Sequence, residues 1–233
     1  MASKKPIIMF VHGAWHTLEH YRVFLAILQS KGYTVIAPDL PSRTVETVVD
    51  PTKADIELIA SIARNSPTKG KGFGLGIEAR RSQGLNGGVR RIVIVAGFIL
   101  EKGVCIETSA PIDSLDWCYY EGSLKVIDRK LDAGPFFYPD ISHQDQQSAL
   151  RRLVKHPKAC SFYSPENKAY TEIDTTFVYC GKVMAFPQAA QRDMIMSLKD
   201  RRVKVDEESL PSGHFPSLSM PDRLAEIVLK YCA

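Results

Sequence analysis

The sequence predicts an α/β fold in which a mostly parallel central sheet is flanked by helices. The first observation is Pro6–Val11, an unbroken apolar run rich in Ile and Val, which is typical of a buried parallel strand. The second is a run of apolar residues at helical spacing that stops at Gly32, a residue that favours helix ends. The third is Tyr33–Ala37, which has the composition of a second strand. Ligands bind in such sheets beyond the carboxyl ends of the strands, so the loop His12–Trp15 is the first candidate site.

Five segments in a fixed order resemble one superfamily. HGAW after an apolar strand, followed by a helix and APDLPS, resembles the α/β-hydrolase superfamily, in particular the branch of small-molecule esterases, methylesterases and hydroxynitrile lyases. The later segments are GVRRIVIVAGFIL at 88–100, FYPD at 137–140, YCGKVMAFPQAAQ at 179–191 and SGHFPSLSMP at 212–221. The resemblance implies a single domain over residues 1–233 with an inserted helical lid at 110–171. Within that lid we expect a helix over Gln144–Val154.

Composition narrows the classes of partner. The 233 residues are 45% hydrophobic and 24% charged, which is ordinary for a globular chain, and the net charge of +4 is dispersed. This favours a solvated surface over nucleic-acid binding. The five cysteines are odd in number and widely spaced, which predicts reduced thiols and a cytoplasmic location rather than a disulfide or metal framework. With no long apolar run, we expect neither a signal peptide nor a membrane span, and no motif calls for a cofactor.

The nucleophile expected from the resemblance is missing. The superfamily implies a buried strand that runs into Gly-x-Ser-x-Gly, and nothing between Ile62 and Glu78 fits. The nearest partial match is Ser82, which has a glycine two residues later but sits in a charged segment without a preceding strand. Glycines alternate at 70, 72, 74 and 76, but P-loop spacing is absent and a phosphate site is not expected. The sequence therefore predicts a fold that lacks one central strand of the sheet.

The loss of that strand leads to two structural expectations. Either the strand containing Met9 and the strand containing Val93 become direct neighbours, or Phe73–Ile77 fills the gap as a short irregular strand. Without one of these, two apolar edges would be left unpaired. A misassembled coding sequence, an alternative splice form and a rewired sheet all remain open as origins of the gap.

The triad implied by the resemblance retains only its histidine. In the segment 179–191 the family pattern places an aspartate where this chain has Val183, and valine cannot orient an imidazole. His214 in SGHFPSLSMP is the surviving acid-base residue. His12 is expected to anchor the first loop. The backbone N–H groups around Ala14, which include those of Gly13 and Trp15, are expected to form the oxyanion or ligand site.

Four other carboxylates follow predicted strands and could replace the missing aspartate. Asp206, Glu207 and Glu208 come after a predicted last strand at Arg202–Val205, and Glu101 comes after Arg91–Leu100. A solvated turn is the alternative reading of all four. The remaining histidines have no spacing that predicts a metal site and read as ordinary lid and helix residues; they are His16, His20, His143 and His156.

Two functions remain open on the sequence. In one, the protein acts on a small apolar metabolite such as an ester, a lactone or a related adduct, with His214 as acid or base and no serine nucleophile. In the other, it is a catalytically inactive relative that binds a small molecule or a protein partner. The lid residues are rich in aromatic side chains, which suit a small apolar ligand and also suit packing of the lid onto the core.

Overall fold

The computed structural model describes residues 5–43, 50–65, 80–82, 84, 88–109, 117–128 and 132–232. The strands are β1 Ile8–Met9, β2 Val35–Ile36, β3 Arg91–Val95, β4 Cys118–Glu121, β5 Leu124–Ile127, β6 His156–Pro157, β7 Asp174–Cys180 and β8 Val205–Leu210. The helices are α1 Arg22–Ser30, α2 Pro51–Asn65, α3 Ile106–Ser109, α4 Gly134–Phe137, α5 His143–Arg151, α6 Lys158–Phe162, α7 Gln188–Asp200, α8 Pro216–Ser219 and α9 Pro221–Lys230.

The predicted α/β fold with parallel strands and flanking helices is confirmed. Strand β1 pairs with β2 in parallel, and β3, β7 and β8 form a second parallel sheet with β7 in the middle. Phe177 and Val178 on β7 are fully buried because helices or strands cover both faces of this strand. One apolar cluster joins β1, α1, β3, β7, β8 and α9, with Leu28 and Leu224 at its centre. The two parallel units therefore share a core.

The two strands expected to become neighbours are not paired. In the part of the chain that is described, β1 hydrogen-bonds only to β2 and β3 only to β7, so the expectation for Met9 and Val93 is wrong. The physical reason is that the shared core, rather than a backbone ladder, positions the two units. Both strands are only half-buried, and Val11 beyond β1 is 46% exposed. The alternative, a strand over Phe73–Ile77, lies outside the described residues.

The lid region contains an antiparallel sheet that the sequence did not predict. Strands β4, β5 and β6 pair in that order, and Gly122 makes the β4–β5 turn with a φ of 60°. The expected helix is present as α5, His143–Arg151, and Ser142 caps it by accepting the Asp145 N–H at 3.1 Å. The lid core, with Trp117 and Phe137, packs against the His12–Trp15 loop and the His214 loop.

Two strand boundaries differ from the predictions. The last strand is β8, Val205–Leu210, rather than Arg202–Val205, because its acidic side chains are neutralised by neighbouring cations and so tolerate strand geometry. Strand β3 ends at Val95, since Ala96 has a φ of 44° that no extended strand accommodates. Within the described ranges, no helix is long and apolar enough to cross a membrane.

Candidate active site

The loop after β1 is anchored by the imidazole of His12. This side chain is buried, with 8% exposure; its Nδ1 lies 3.1 Å from the Gly13 carbonyl oxygen, and its Nε2 accepts the Leu40 N–H at 3.4 Å. These contacts assign the tautomer that carries the proton on Nδ1. His12 thus joins the first loop to the segment that follows β2.

The backbone amides of this loop differ in their availability. The Gly13 N–H donates to the Tyr21 hydroxyl at 3.2 Å, so it is already occupied. The Ala14 and Trp15 N–H groups have no acceptor among the described residues. Trp15 has a φ of 60°, a strained conformation for a residue with a side chain. Two free amides on a strained turn are suited to binding an oxygen with negative charge.

The lid holds Trp15 in this conformation. The Trp15 indole N–H donates to the Lys125 carbonyl at 3.0 Å, and the Trp15 carbonyl accepts the Val154 N–H at 2.9 Å. The indole ring also contacts Trp117, with ring centroids 5.6 Å apart, and His156 at 5.8 Å. Both the backbone and the side chain of Trp15 are therefore fixed by residues more than a hundred positions away.

A second buried imidazole links the loop to the lid. His16 donates from Nδ1 to the Ala14 carbonyl at 2.7 Å, and its Nε2 accepts the Tyr138 hydroxyl at 2.6 Å. The ring stacks on Phe215, with centroids 3.8 Å apart. Burial, followed by the neighbouring His20, lowers the pKa of His16 well below its usual value, so the ring stays neutral. The sequence reading of His16 as an ordinary residue missed this bridge.

His214 lies on a loop that the lid fixes through the backbone. Its N–H donates to the Phe137 carbonyl at 3.1 Å, and the N–H of Gly213 donates to Asp140 Oδ2 at 2.8 Å. The His214 Nδ1 atom is buried and has no hydrogen-bond partner in the described part of the chain. Burial lowers the pKa of this imidazole to about 4, so it is neutral at pH 7 and can accept a proton.

The position of the missing aspartate is apolar. Val183 is 5% exposed and packs with Ala96 and Cys180. The Lys182 N–H donates to the Ser212 carbonyl at 2.8 Å, which continues the β7–β8 register past the strand ends. Residue 183 therefore directly follows Lys182, whose backbone partner Ser212 lies two residues before His214. No carboxylate occupies this place, in agreement with the unpartnered Nδ1.

The four alternative carboxylates are engaged elsewhere. Three of them, Asp206, Glu207 and Glu208, lie within β8 and not after the last strand as predicted, and Glu101 lies beyond the end of β3. Each contacts a basic group: Asp206 contacts Arg91 at 2.5 Å, Glu208 contacts Lys230 at 2.7 Å, Glu101 contacts Arg201 at 2.6 Å, and Glu207 contacts Lys199. Hydrogen bonds from these lysines lower the pKa of Glu207 and Glu208. None of the four has a contact with the His214 ring in the described structure.

No described serine completes a triad. Ser82 is exposed in a turn. The hydroxyls of Ser212 and Ser217 flank the His214 loop, but both are buried and neither hydrogen-bonds to a described group. A groove of about 380 Å³ lies behind this loop, lined by Leu210, Pro211 and residues 219–223, and none of the predicted site residues lines it. Among the described residues, no group of three metal-ligating side chains occurs.

Comparisons with known proteins agree on the fold. A model of the alpha/beta hydrolase family matches residues 8–227. The probable hydrolase R7 of Phoma sp. is 25% identical over 96% of this chain and 97% of that protein. A pyrethroid hydrolase structure from Sphingobium faniae JZ-2 has a TM-score of 0.75 at 22% identity, covering 97% of this chain and 96% of its own. The polyneuridine aldehyde esterase structure has a TM-score of 0.69 at 14% identity, covering 97% and 99%.

Proposed function

Because the chain belongs to the alpha/beta hydrolase family, we propose that it acts on a small apolar metabolite, namely an ester, a lactone or a related adduct. His214 is the acid-base group, and the Ala14 and Trp15 amides bind the oxygen that becomes negative, while His12 and Gly13 hold the turn. The proposed architecture is one domain with an inserted lid at residues 110–171. No serine attacks, and no cofactor takes part.

The observation that carries this proposal is the shared setting of the two loops. His16 donates to the Ala14 carbonyl and stacks on Phe215, and the Phe215 ring in turn contacts the His214 ring, with centroids 5.2 Å apart. Phe137 contacts both Trp15 and His214, with centroids 6.3 and 6.0 Å away. These shared contacts with the lid core support a site in which the amides and the imidazole act on one ligand.

The chemistry follows from the states of these groups. A water molecule attacks the substrate carbonyl carbon while His214 Nε2 takes its proton, and the carbonyl oxygen gains negative charge beside the two amides. The tetrahedral intermediate then collapses, the bond to the leaving oxygen breaks, and His214 returns the proton to that oxygen. Bonds and protons balance without an acyl-enzyme. A base with a pKa of about 4 is weak at neutral pH, so we expect slow turnover and a preference for good leaving groups.

Substrate class is supported by the lid and by the relatives. The lid core contributes Trp117, Phe136 and Phe137, which favour a small apolar ligand. Among the structural neighbours are a pyrethroid hydrolase, and also a methylesterase from Arabidopsis and polyneuridine aldehyde esterase, two proteins that are named as esterases. We propose a small-molecule ligand rather than nucleic acid or a membrane, and a cytoplasmic location, which the five free cysteines support.

The second candidate is a catalytically inactive relative that binds a small molecule or a protein partner. It is favoured by Val183 and by the unpartnered Nδ1 of His214, since nothing among the described residues steers or strengthens the base. This candidate has the same lid, turn and ligand class as the first proposed function and differs from it only in the absence of turnover.

The deciding experiment measures hydrolysis of p-nitrophenyl esters of graded chain length together with labelling by a fluorophosphonate probe. We expect turnover without labelling, lost in His214→Ala and kept in His143→Ala, an exposed control at the start of α5. Covalent labelling at any serine would overturn the proposed mechanism. Absence of both turnover and labelling, in a protein that still binds the ester product, would establish the second candidate.

A further inference from the structure

A row of three polar side chains crosses the antiparallel sheet of the lid. Lys125 on β5 lies directly opposite Tyr120 on β4 and opposite His156 on β6. Directly opposite residues of antiparallel strands point to the same face. That face looks toward Trp15, whose ring centroid lies 5.9 Å from Lys125 Nζ and 5.8 Å from the His156 ring. The row is therefore next to the candidate oxyanion turn.

The ammonium group of Lys125 is buried but not hydrogen-bonded. The side chain is 3% exposed, and its nearest anionic group is Glu107, with Nζ 3.8 Å from Oε2, which is too far for a hydrogen bond. The same Oε2 accepts the Tyr120 hydroxyl. Besides this ion pair, Nζ lies over the faces of the Trp15 and Tyr120 rings, and neither ring offers a hydrogen-bond acceptor of full strength. A buried lysine whose ion pair is too long for a hydrogen bond has donor capacity left, so this geometry favours an added acceptor.

We propose that the Tyr120, Lys125 and His156 row is an anion subsite in which the Lys125 ammonium binds the carboxylate of a small organic acid. A carboxylate suits the group because a charge-assisted hydrogen bond is stronger than one to a neutral oxygen. Trp15 and Tyr120, each with its ring centroid 5.9 Å from Nζ, provide apolar walls for the body of the ligand. Burial and the charge of Lys125 lower the pKa of His156 to about 4, so His156 adds a neutral donor and no second charge.

Glu107 limits the affinity of this subsite. Its carboxylate lies close to the same ammonium and repels an incoming anion, although the Tyr120 hydroxyl offsets part of its charge. Replacement of Glu107 by glutamine keeps the shape of the side chain and removes the repulsion. The proposal therefore predicts opposite effects for the two members of one ion pair, whereas a purely structural pair predicts loss of stability for both. It holds whether or not the protein hydrolyses esters.

The test is calorimetric titration of the full chain with phenylacetate and with its neutral isostere phenylacetamide. Wild-type protein should bind the acid at least about tenfold more tightly than the amide, Lys125→Met should lose that preference, and Glu107→Gln should tighten acid binding. Lys155→Met is the matched control, since that lysine is 47% exposed and pairs with Glu121. Equal binding of the two ligands by wild-type protein, or unchanged acid binding in Lys125→Met, overturns the proposal. If Lys125→Met does not fold, the wild-type comparison and Glu107→Gln decide.

Discussion

Restoring a carboxylate at residue 183 tests the central feature of the candidate site. In Val183→Asp the new side chain comes directly after the Lys182–Ser212 backbone pair, in the stretch that faces the His214 loop. The Nδ1 atom of His214 is buried without a described partner, so its N–H can donate to a carboxylate within hydrogen-bond distance. We expect the imidazolium form of His214 to be stabilised.

The magnitude follows from the burial of the ring. Burial lowers the pKa of His214 from 6.5 to about 4. An opposite charge within about 4–6 Å raises a pKa by roughly 1–3 units, so the variant should titrate between about pH 5 and 7. Val183→Asn is the control, because it offers an acceptor of the same size without the charge and should leave the pKa near that of wild type.

The assay is NMR titration of the histidine Cε1–H resonances, with His214→Gln to assign the signal. The stability of the protein at acid pH should change together with the pKa of His214. A depressed folded-state pKa means that stability is complete above pH 6.5 and is lost as the pH falls toward about 4, and Val183→Asp should shrink that loss. A folded Val183→Asp protein whose His214 still titrates near pH 4 would refute the reasoning, because residue 183 would then not lie beside the ring.

Three further predictions concern the packing around the site. Acidification from pH 7 to pH 4 should lower the free energy of unfolding by about 3 kcal/mol for each of His156 and His214, because folding lowers both pKa values from 6.5 to about 4. Urea denaturation at the two pH values measures this loss, and equal midpoints would contradict it. Gly213→Ala should lower the stability by about 1–3 kcal/mol, since a Cβ there would lie 2.5 Å from Pro139 Cδ, and an unchanged melting temperature argues against it. Tyr138→Phe should cost about 1–3 kcal/mol by leaving a buried imidazole nitrogen without its donor, which denaturant titration checks; a neutral effect would mean that the hydroxyl is not bonded there.

The fold could be predicted where local signals agree, and less well where distant contacts decide. The unbroken apolar run before His12 and the helical spacing before Gly32 identify the first unit from local residues alone. The lid sheet was missed because its strands are short and its middle strand is held from outside, by the Trp15 indole on the Lys125 carbonyl. Strand β8 was misplaced because a run of acidic residues does not resemble a strand until its cations are known.

Sequence reasoning proposes the two loops of the candidate site but not the contacts that support them. The turn after β1 and the loop of His214 follow from motif resemblance and end up beneath one lid. The bridge from His16 to Tyr138 joins residues 122 positions apart, and no spacing rule connects them. A local signal did exist, since His16 is two residues from the amide of Ala14 and could have been read as part of the same turn.

The imidazole of His214 is positioned by backbone contacts rather than by a carboxylate. Its own N–H is held by the Phe137 carbonyl and the preceding N–H by Asp140, so the loop is fixed although Nδ1 has no described partner. Orientation and activation are separate requirements, because an aspartate in a catalytic triad both fixes the ring and stabilises its charged form. In this chain the lid fixes the backbone of the loop, and residue 183 offers no carboxylate that could hold the ring or stabilise its charged form. If His214 is the base of the proposed reaction, it can assist only reactions whose leaving group needs little help, and activated esters are therefore the most discriminating test substrates.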